Sequence, residues 1–308
     1  MIPNTQTNRP RWLKQRLHNG PDYEKLRNIL NKSRLHTVCQ EACCPNLWEC
    51  FSRGIATFMI MGSHCTRNCR FCAVSYGTPD PPDSTEPARV AMAVQKLQLS
   101  YVVITSVTRD DLPDGGAYLF AQTVRKIRQI EPDTLVEVLI PDFKGDKAAL
   151  KIIVDVQPHI VNHNIETVPR LYPSVRPEAI YRRSLELLRR VKRCDSTIYT
   201  KSGLMLGLGE HDDEIYETLQ DLIDAGCRLL TLGQYLQPTK EHLPVKRFVH
   251  PKEFDNWREI ALKMGFAEVA SGPFVRSSYQ AKGLYHTAVS GKKTVPVRNN
   301  SRTNAVDK

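Results

Sequence analysis

No stretch of the 308 residues approaches the roughly 18 consecutive apolar residues that a membrane-crossing helix needs. The amino end also lacks the apolar core of a secretory signal, so export to an oxidising compartment is not expected. The first twenty residues contain no acid and no serine, while Pro3 and Pro10 interrupt any amphipathic transit helix. A cytoplasmic protein with no membrane partner is the expectation. No fixed-period repeat occurs, which excludes solenoids and propellers. Acidic residues are scarce only at the two ends. Arg9, Arg11, Lys14 and Arg16 stand unopposed, and Lys282, Lys292, Lys293, Arg298, Arg302 and Lys308 face Asp307 alone. These arms carry most of the net charge of +10 and leave the region between them nearly neutral. Basic ends of this kind attract acidic partners or are simply solvated, and no nucleic-acid partner is expected from them. With 41% hydrophobic and 25% charged residues, the composition is that of an ordinary globular protein.

From residue 56 onward, short apolar runs alternate with amphipathic segments, the signature of repeated βα units on a parallel sheet. Strands are predicted at 56–61, 101–107, 135–140, 159–162, 197–206 and 229–236. The clearest helix is predicted from Pro177 to Arg193, with Ile180, Ser184, Leu187, Leu188 and Val191 on one face and Pro177 as a first-turn proline. Six units are too few for an eight-stranded barrel. The predicted fold is therefore α/β, a partial (βα)6 TIM-type barrel at 56–265. An N-terminal extension (1–55) and a C-terminal extension (266–285) cover its open side, and a basic tail (286–308) reads as disordered.

Seven of the nine cysteines fall between residues 39 and 72. In a reducing compartment such crowding points to metal rather than disulfides. Cys65, Cys69 and Cys72 lie at x3 and x2 spacing in GSHCTRNCRFCAV, directly after the first strand. Three thiolates on one short loop can hold three irons of a cubane and leave the fourth iron open to a small chelating molecule. A zinc knuckle would more usually present two ligand pairs. The spacing, its place after the first strand and Phe71 resemble the radical S-adenosylmethionine (radical SAM) superfamily. That resemblance implies a 4Fe-4S cluster, S-adenosylmethionine as co-substrate, and a 5'-deoxyadenosyl radical that abstracts hydrogen from an unactivated carbon.

Cys39, Cys44 and Cys50, at x4 and x5 spacing in CQEACCPNLWEC, resemble the lipoyl synthase family in particular. The resemblance extends from about Arg34 to Tyr285. It implies an auxiliary 4Fe-4S cluster on these three cysteines, with sulfides donated to the substrate. Cys43 departs from the family pattern and reads as a bystander, because Cys44 keeps the spacing. Cys194 and Cys227 read as core or helix-end residues.

The segment GPFVRSSYQAKG matches the family's RSSY motif, which implies Ser278 as an oxygen ligand to the auxiliary cluster. A hard, weakly held oxygen on an otherwise thiolate-bound iron suits a cluster that must be dismantled. Arg276 either stabilises local negative charge or forms a surface salt bridge. Strand ends gather the chemistry of a βα barrel, and the segments there suggest cofactor contacts from Gly115, Gly116, Asn162, Glu166, Gly207 and Glu210. As isolated patterns, such glycines are ordinary turn residues.

The implied reaction inserts two sulfurs, at C6 and C8, into an octanoyl group on a lysine of lipoyl carrier domains. Implied partners are the glycine cleavage H protein, the 2-oxoacid dehydrogenase E2, a flavodoxin or ferredoxin reductant and a cluster-carrier protein, with the enzyme a monomer. The competing readings are another auxiliary-cluster radical enzyme and, from a different class, a zinc-bearing nucleic-acid-binding protein.

Overall fold

The computed structural model describes residues 10–13, 21–52 and 55–291. In chain order the strands are β1 (His36–Thr37), β2 (Thr57–Ile60), β3 (His64–Cys65), β4 (Ser75–Tyr76), β5 (Tyr101–Ser106), β6 (Leu135–Leu139), β7 (Ile160–Asn162), β8 (Tyr199–Leu206), β9 (Leu229–Gln234) and β10 (Glu268–Gly272). The α-helices are α1 (Pro21–Lys32), α2 (Val38–Glu41), α3 (Leu47–Ser52), α4 (Glu86–Lys96), α5 (Ala117–Ile130), α6 (Lys147–Asp155), α7 (Tyr172–Val175), α8 (Tyr181–Cys194), α9 (Asp212–Asp224), α10 (Pro251–Met264) and α11 (Ala281–Ser290).

Eight strands form one sheet in the order β1-β2-β5-β6-β7-β8-β9-β10, while β3 and β4 make a small pair above it. All neighbours in the large sheet run parallel except β1, which lies antiparallel to β2. Parallel strands covered on both faces need near-continuous apolar runs, and β2 and β9 are buried along their whole length. On β6, Val136 and Val138 join the helix-covered core with Phe120, Val124, Ile127 and Ile153. Glu137, between them, therefore points the opposite way, into the barrel lumen.

All six expected strands are present. Three features differ from the sequence reading. The segment after residue 265 supplies β10, which pairs with β9 at Glu268↔Leu229 and extends the sheet. Helix α11 continues to Ser290, five residues into the stretch read as tail, and residues 292–308 lie outside those described. The long helix also begins later than expected. Ile180 is its N-cap, extended and 50% exposed, and Pro177 precedes the helix instead of opening it. The stretch before α8 is committed elsewhere: Val175 O accepts from Arg70 N and Glu178 Oε1 accepts from Asn68 N, both on the cysteine loop. Ser184, Leu187, Leu188 and Val191 are buried as expected, joined by Leu185.

Helix α11 closes the N-terminal mouth of the barrel. Its Leu284 and Tyr285 pack on Tyr101, Ile160, Tyr199 and Leu229, the first residues of four strands. No helix among the described residues is long and apolar enough to cross a membrane.

Candidate active site

After β2 the chain turns at Met61 (φ +70), whose N–H donates to the buried Glu86 carboxylate at 2.8 Å. The cysteine loop that follows is held from several sides. Thr66 N and Oγ1 both donate to Thr108 O, at 3.0 and 2.9 Å, and Asp110 N donates back to Thr66 Oγ1 at 3.0 Å. Arg67, between the first two cysteines, is buried, with its guanidinium bonded to Asp110 (2.7 and 3.0 Å) and Asp142 (2.6 Å). Burial works to raise the Asp142 carboxyl, yet the Arg67 guanidinium beside it holds it at about 2. A bidentate, desolvated arginine pair fixes geometry as well as charge.

Backbone N–H groups of Arg67 and Thr108 point at Cys65 Sγ, at 3.4 and 3.3 Å. Cys69 and Cys72 lie close enough to Cys65 and to Glu166 to feel their charge. Burial pushes the Cys69 thiol up to about 11 and the Cys72 thiol up to about 12. Thiols so buried stay protonated unless a cation holds them, which fits a metal cluster.

The second cysteine set is assembled from distant parts of the chain. Thr37 caps α2 and brings Cys39 to its first turn; Cys44 follows, and Cys50 lies on α3. A cavity is lined by Cys39, Cys44 and Cys50 together with Thr57, Arg276 and Ser278. The C-terminal motif is pinned over it. Asn46 Nδ2 donates to Phe274 O at 2.6 Å, Thr57 Oγ1 to Ser278 Oγ at 2.7 Å, and Asn164 Nδ2 to Ser277 Oγ at 2.5 Å. Gly233 is required here, because a Cβ would stand 2.1 Å from Val275 O. Burial pushes Cys39 up to about 11. Three thiols and one hydroxyl around a single cavity match the donor count of a cubane. Among the described residues, no three His, Cys, Asp or Glu side chains converge on a point suited to one metal ion. Cys43 is exposed, Cys194 is exposed at the end of α8, and Cys227 is buried in the core.

Glu166 lies between the two sets. It is a half-buried, non-glycine residue at φ +67, and its carboxylate accepts from Asn164 Nδ2 at 3.0 Å. Burial raises its carboxyl, while Arg176 and Arg276 oppose the rise. Arg276 in turn faces Cys44 and donates to Val275 O at 2.7 Å, so it is a half-buried cation at the cavity and not a surface salt bridge.

The remaining expected contacts are placed as follows. Gly115 and Gly116 have φ of +60 and +87, and a Cβ at Gly116 would meet Met61 Sδ at 2.3 Å. Glu210 accepts from Gly207 N at 2.5 Å and from Leu208 N at 2.9 Å, closing the loop after β8. Asn162 donates from Nδ2 to Glu137 inside the lumen at 2.8 Å. Sequence reasoning missed Arg176, whose Nη1 bonds Asn164 O at 2.8 Å and whose charge faces Cys69 and Glu166. It also missed Arg67, Thr57 and Asn46; the only signal for Arg67 was a charge placed inside the cysteine motif.

Comparison with known proteins agrees with this architecture. The radical SAM superfamily profile matches residues 59–222, and the N-terminal domain of lipoyl synthase matches residues 2–44. The lipoyl synthase of Desulfotalea psychrophila is 58% identical over 285 residues, covering 92% of this chain and 95% of its own. That of Rubrobacter xylanophilus is 55% identical, covering 89% and 85%. Among solved structures, Streptococcus suis SuiB bound to S-adenosylmethionine superposes with a TM-score of 0.53 at 10% identity over 71% of this chain, which spans about half (51%) of SuiB. Methylornithine synthase gives 0.51 at 12% identity, covering 81% and 76%. At such low identities these two speak for the barrel fold alone. Membership of the superfamily brings S-adenosylmethionine and a 4Fe-4S cluster, and the zinc reading falls away. A parallel partial barrel, a lipoyl synthase amino-terminal domain and 58% identity over nine-tenths of the length together place the chain in the lipoyl synthase family of radical SAM enzymes, which build the lipoyl group by inserting sulfur into a carrier-bound octanoyl chain.

Proposed function

We propose that this enzyme works with two 4Fe-4S clusters, one held by Cys65, Cys69 and Cys72 and the other by Cys39, Cys44, Cys50 and Ser278. The observation that carries this reading is the single cavity walled by three N-terminal thiols and the Ser278 hydroxyl, from stretches more than two hundred residues apart. When bound, the first cluster with S-adenosylmethionine supplies a 5'-deoxyadenosyl radical, and the auxiliary cluster supplies the sulfur.

The chain's own residues supply positioning and water exclusion. Arg67, clamped by Asp110 and Asp142, sets the curvature of the cysteine loop. Glu166 offers a carboxylate to the co-substrate between the two sites, and its left-handed backbone aims it there. Gly115 and Gly116 let the backbone come close to the methionyl group, while Gly207 and Glu210 shape the ribose and adenine side. Thr57 donates to one lone pair of the Ser278 oxygen and leaves the other, which would face iron. Arg276 balances negative charge at Cys44.

The substrates are octanoylated carrier domains, the glycine cleavage H protein and the E2 subunits of 2-oxoacid dehydrogenases. A flavodoxin or ferredoxin provides electrons in the cytoplasm, and a cluster-carrier protein restores the consumed auxiliary cluster. The test is anaerobic turnover of an octanoylated carrier peptide followed by mass spectrometry. Stepwise gain of one and then two sulfurs supports the reading; cleavage of S-adenosylmethionine without any sulfur gain by the fully loaded enzyme overturns it.

A further inference from the structure

The lumen contains a charged level that the reaction chemistry does not require. Lys201 Nζ on β8 lies 2.9 and 3.2 Å from the two carboxylate oxygens of Glu137 on β6, and neither side chain has any exposure. Tyr101 Oη donates to Glu137 Oε2 at 2.5 Å, and Asn162 Nδ2 donates to Oε1 at 2.8 Å. Four adjacent strands, β5 to β8, are thus tied across the barrel at one height.

Below this level, Tyr101, Tyr199, Ile160 and Leu229 seal against α11. Above it on the same strand faces, Leu139 and Met205 are partly accessible. The accessible lumen therefore ends at Leu139 and Met205, just above the ion pair. Thr57, which lines the auxiliary cavity and bonds Ser278, is in register with Val103, and Val103 is in register with Glu137. The sulfur source and the charged level share one rung of the sheet.

An alkyl chain cannot take the place of a desolvated ion pair, because parting the charges leaves each buried without a partner. We propose that the Glu137–Lys201 pair sets the floor above which the methyl end of the acyl chain comes to rest, so that the carbons that react are counted from the methyl end. This rests on the reading of the Cys39, Cys44, Cys50 and Ser278 cavity as the sulfur source. For octanoyl, the terminal carbon and the carbon two before it are C8 and C6. At each, a C–H bond breaks and its hydrogen atom goes to the 5'-deoxyadenosyl radical to give 5'-deoxyadenosine; the carbon radical would form a C–S bond to a sulfide of the auxiliary cluster as an Fe–S bond breaks and the cluster's iron takes up the one electron released.

A heptanoyl carrier separates the possibilities. A floor moves the first insertion to C5, whereas a chain held by its amide end keeps it at C6. Carriers deuterated at C5 or at C6 are turned over anaerobically, and the deuterium in 5'-deoxyadenosine is measured. Label arriving from C5 is the expected result. Label from C6 overturns the floor, and so does refusal of heptanoyl by an enzyme that converts octanoyl. If octanoyl itself gains no sulfur, it is the site reading that has failed, and the floor falls with it.

The second arm uses chain length. Wild-type enzyme is expected to bind an unreactive decanoyl carrier peptide, and to convert the reactive one, at least tenfold less well than octanoyl. The double variant Glu137→Ala/Lys201→Met leaves no unpaired charge and makes room for two methylenes. In it the ratio falls to within a few-fold, with folding checked by circular dichroism. Should that variant not fold, Glu137→Leu/Lys201→Met keeps the volume and, by removing the charge alone, still raises decanoyl binding severalfold. An unchanged ratio in the folded variant overturns the proposal.

Discussion

The two cysteine sets are built in opposite ways. Cys65, Cys69 and Cys72 sit on one loop immediately after β2, and hydrogen bonds from the strand ends around them hold that loop in place. Cys39, Cys44 and Cys50 need α2, α3 and a motif from the far end of the chain before their cavity is closed. The first site is a property of the barrel; the second is a property of both extensions docked on it. Under the proposed function, a cluster used repeatedly suits the rigid site, and one consumed and rebuilt would suit the site whose wall is a separable segment.

The sharpest way to break this contrast is to remove one proposed ligand from each side. Cys69→Ala is expected to drop both S-adenosylmethionine cleavage and lipoyl product below detection, as read by chromatography of 5'-deoxyadenosine and mass of the carrier. Ser278→Ala is expected to leave cleavage within about twofold and to lower lipoyl product at least tenfold, a difference of roughly 1.4 kcal/mol or more in barrier. Equal loss of both activities in Ser278→Ala would erase the distinction between the sites.

A third substitution tests the rigidity assigned to the barrel site. Asp142→Asn leaves Arg67 and Arg183 facing a neutral partner in a buried place and is expected to cost about 3 kcal/mol of stability. Its pH dependence has a definite sign. The Asp142 carboxyl is held at about 2, below its ordinary range of roughly 3.9. Its contribution is thus fully present above about pH 4 and is lost as pH falls through about 2. Denaturant melts of the two proteins should converge on acidification, and a gap that widens would contradict the clamp. The smallest effect is expected from Cys43→Ser. Cys43 is exposed and outside the lining of the auxiliary cavity, so stability should move by less than about 0.5 kcal/mol, with iron content unchanged.

What the sequence revealed follows the same division. Local chemistry was legible: the cysteine spacings, the six apolar strands and the glycines at turns each follow from neighbours along the chain. Contacts between distant segments were not. The strand Glu268–Gly272 was missed because EVASG is short and partly polar, and only its pairing with β9 makes it a strand. The start of α8 was placed too early because Pro177 reads as a first-turn proline, whereas Glu178 beside it is committed to Asn68 N on the cysteine loop. Glu137 and Lys201 are charges inside otherwise apolar strands; only closure of the barrel turns their faces inward and gives each a partner. Arg276 could have been a surface residue, and the docking of the C-terminal motif on Gly233 is what turns it toward the cavity.

Iron and sulfide analysis of two triple variants, reconstituted anaerobically, bears most directly on the claim of two independent cradles. The account predicts about eight irons per chain for wild type and about four for each of Cys39→Ala/Cys44→Ala/Cys50→Ala and Cys65→Ala/Cys69→Ala/Cys72→Ala. A full complement in either variant, or loss of all iron in both, would contradict it.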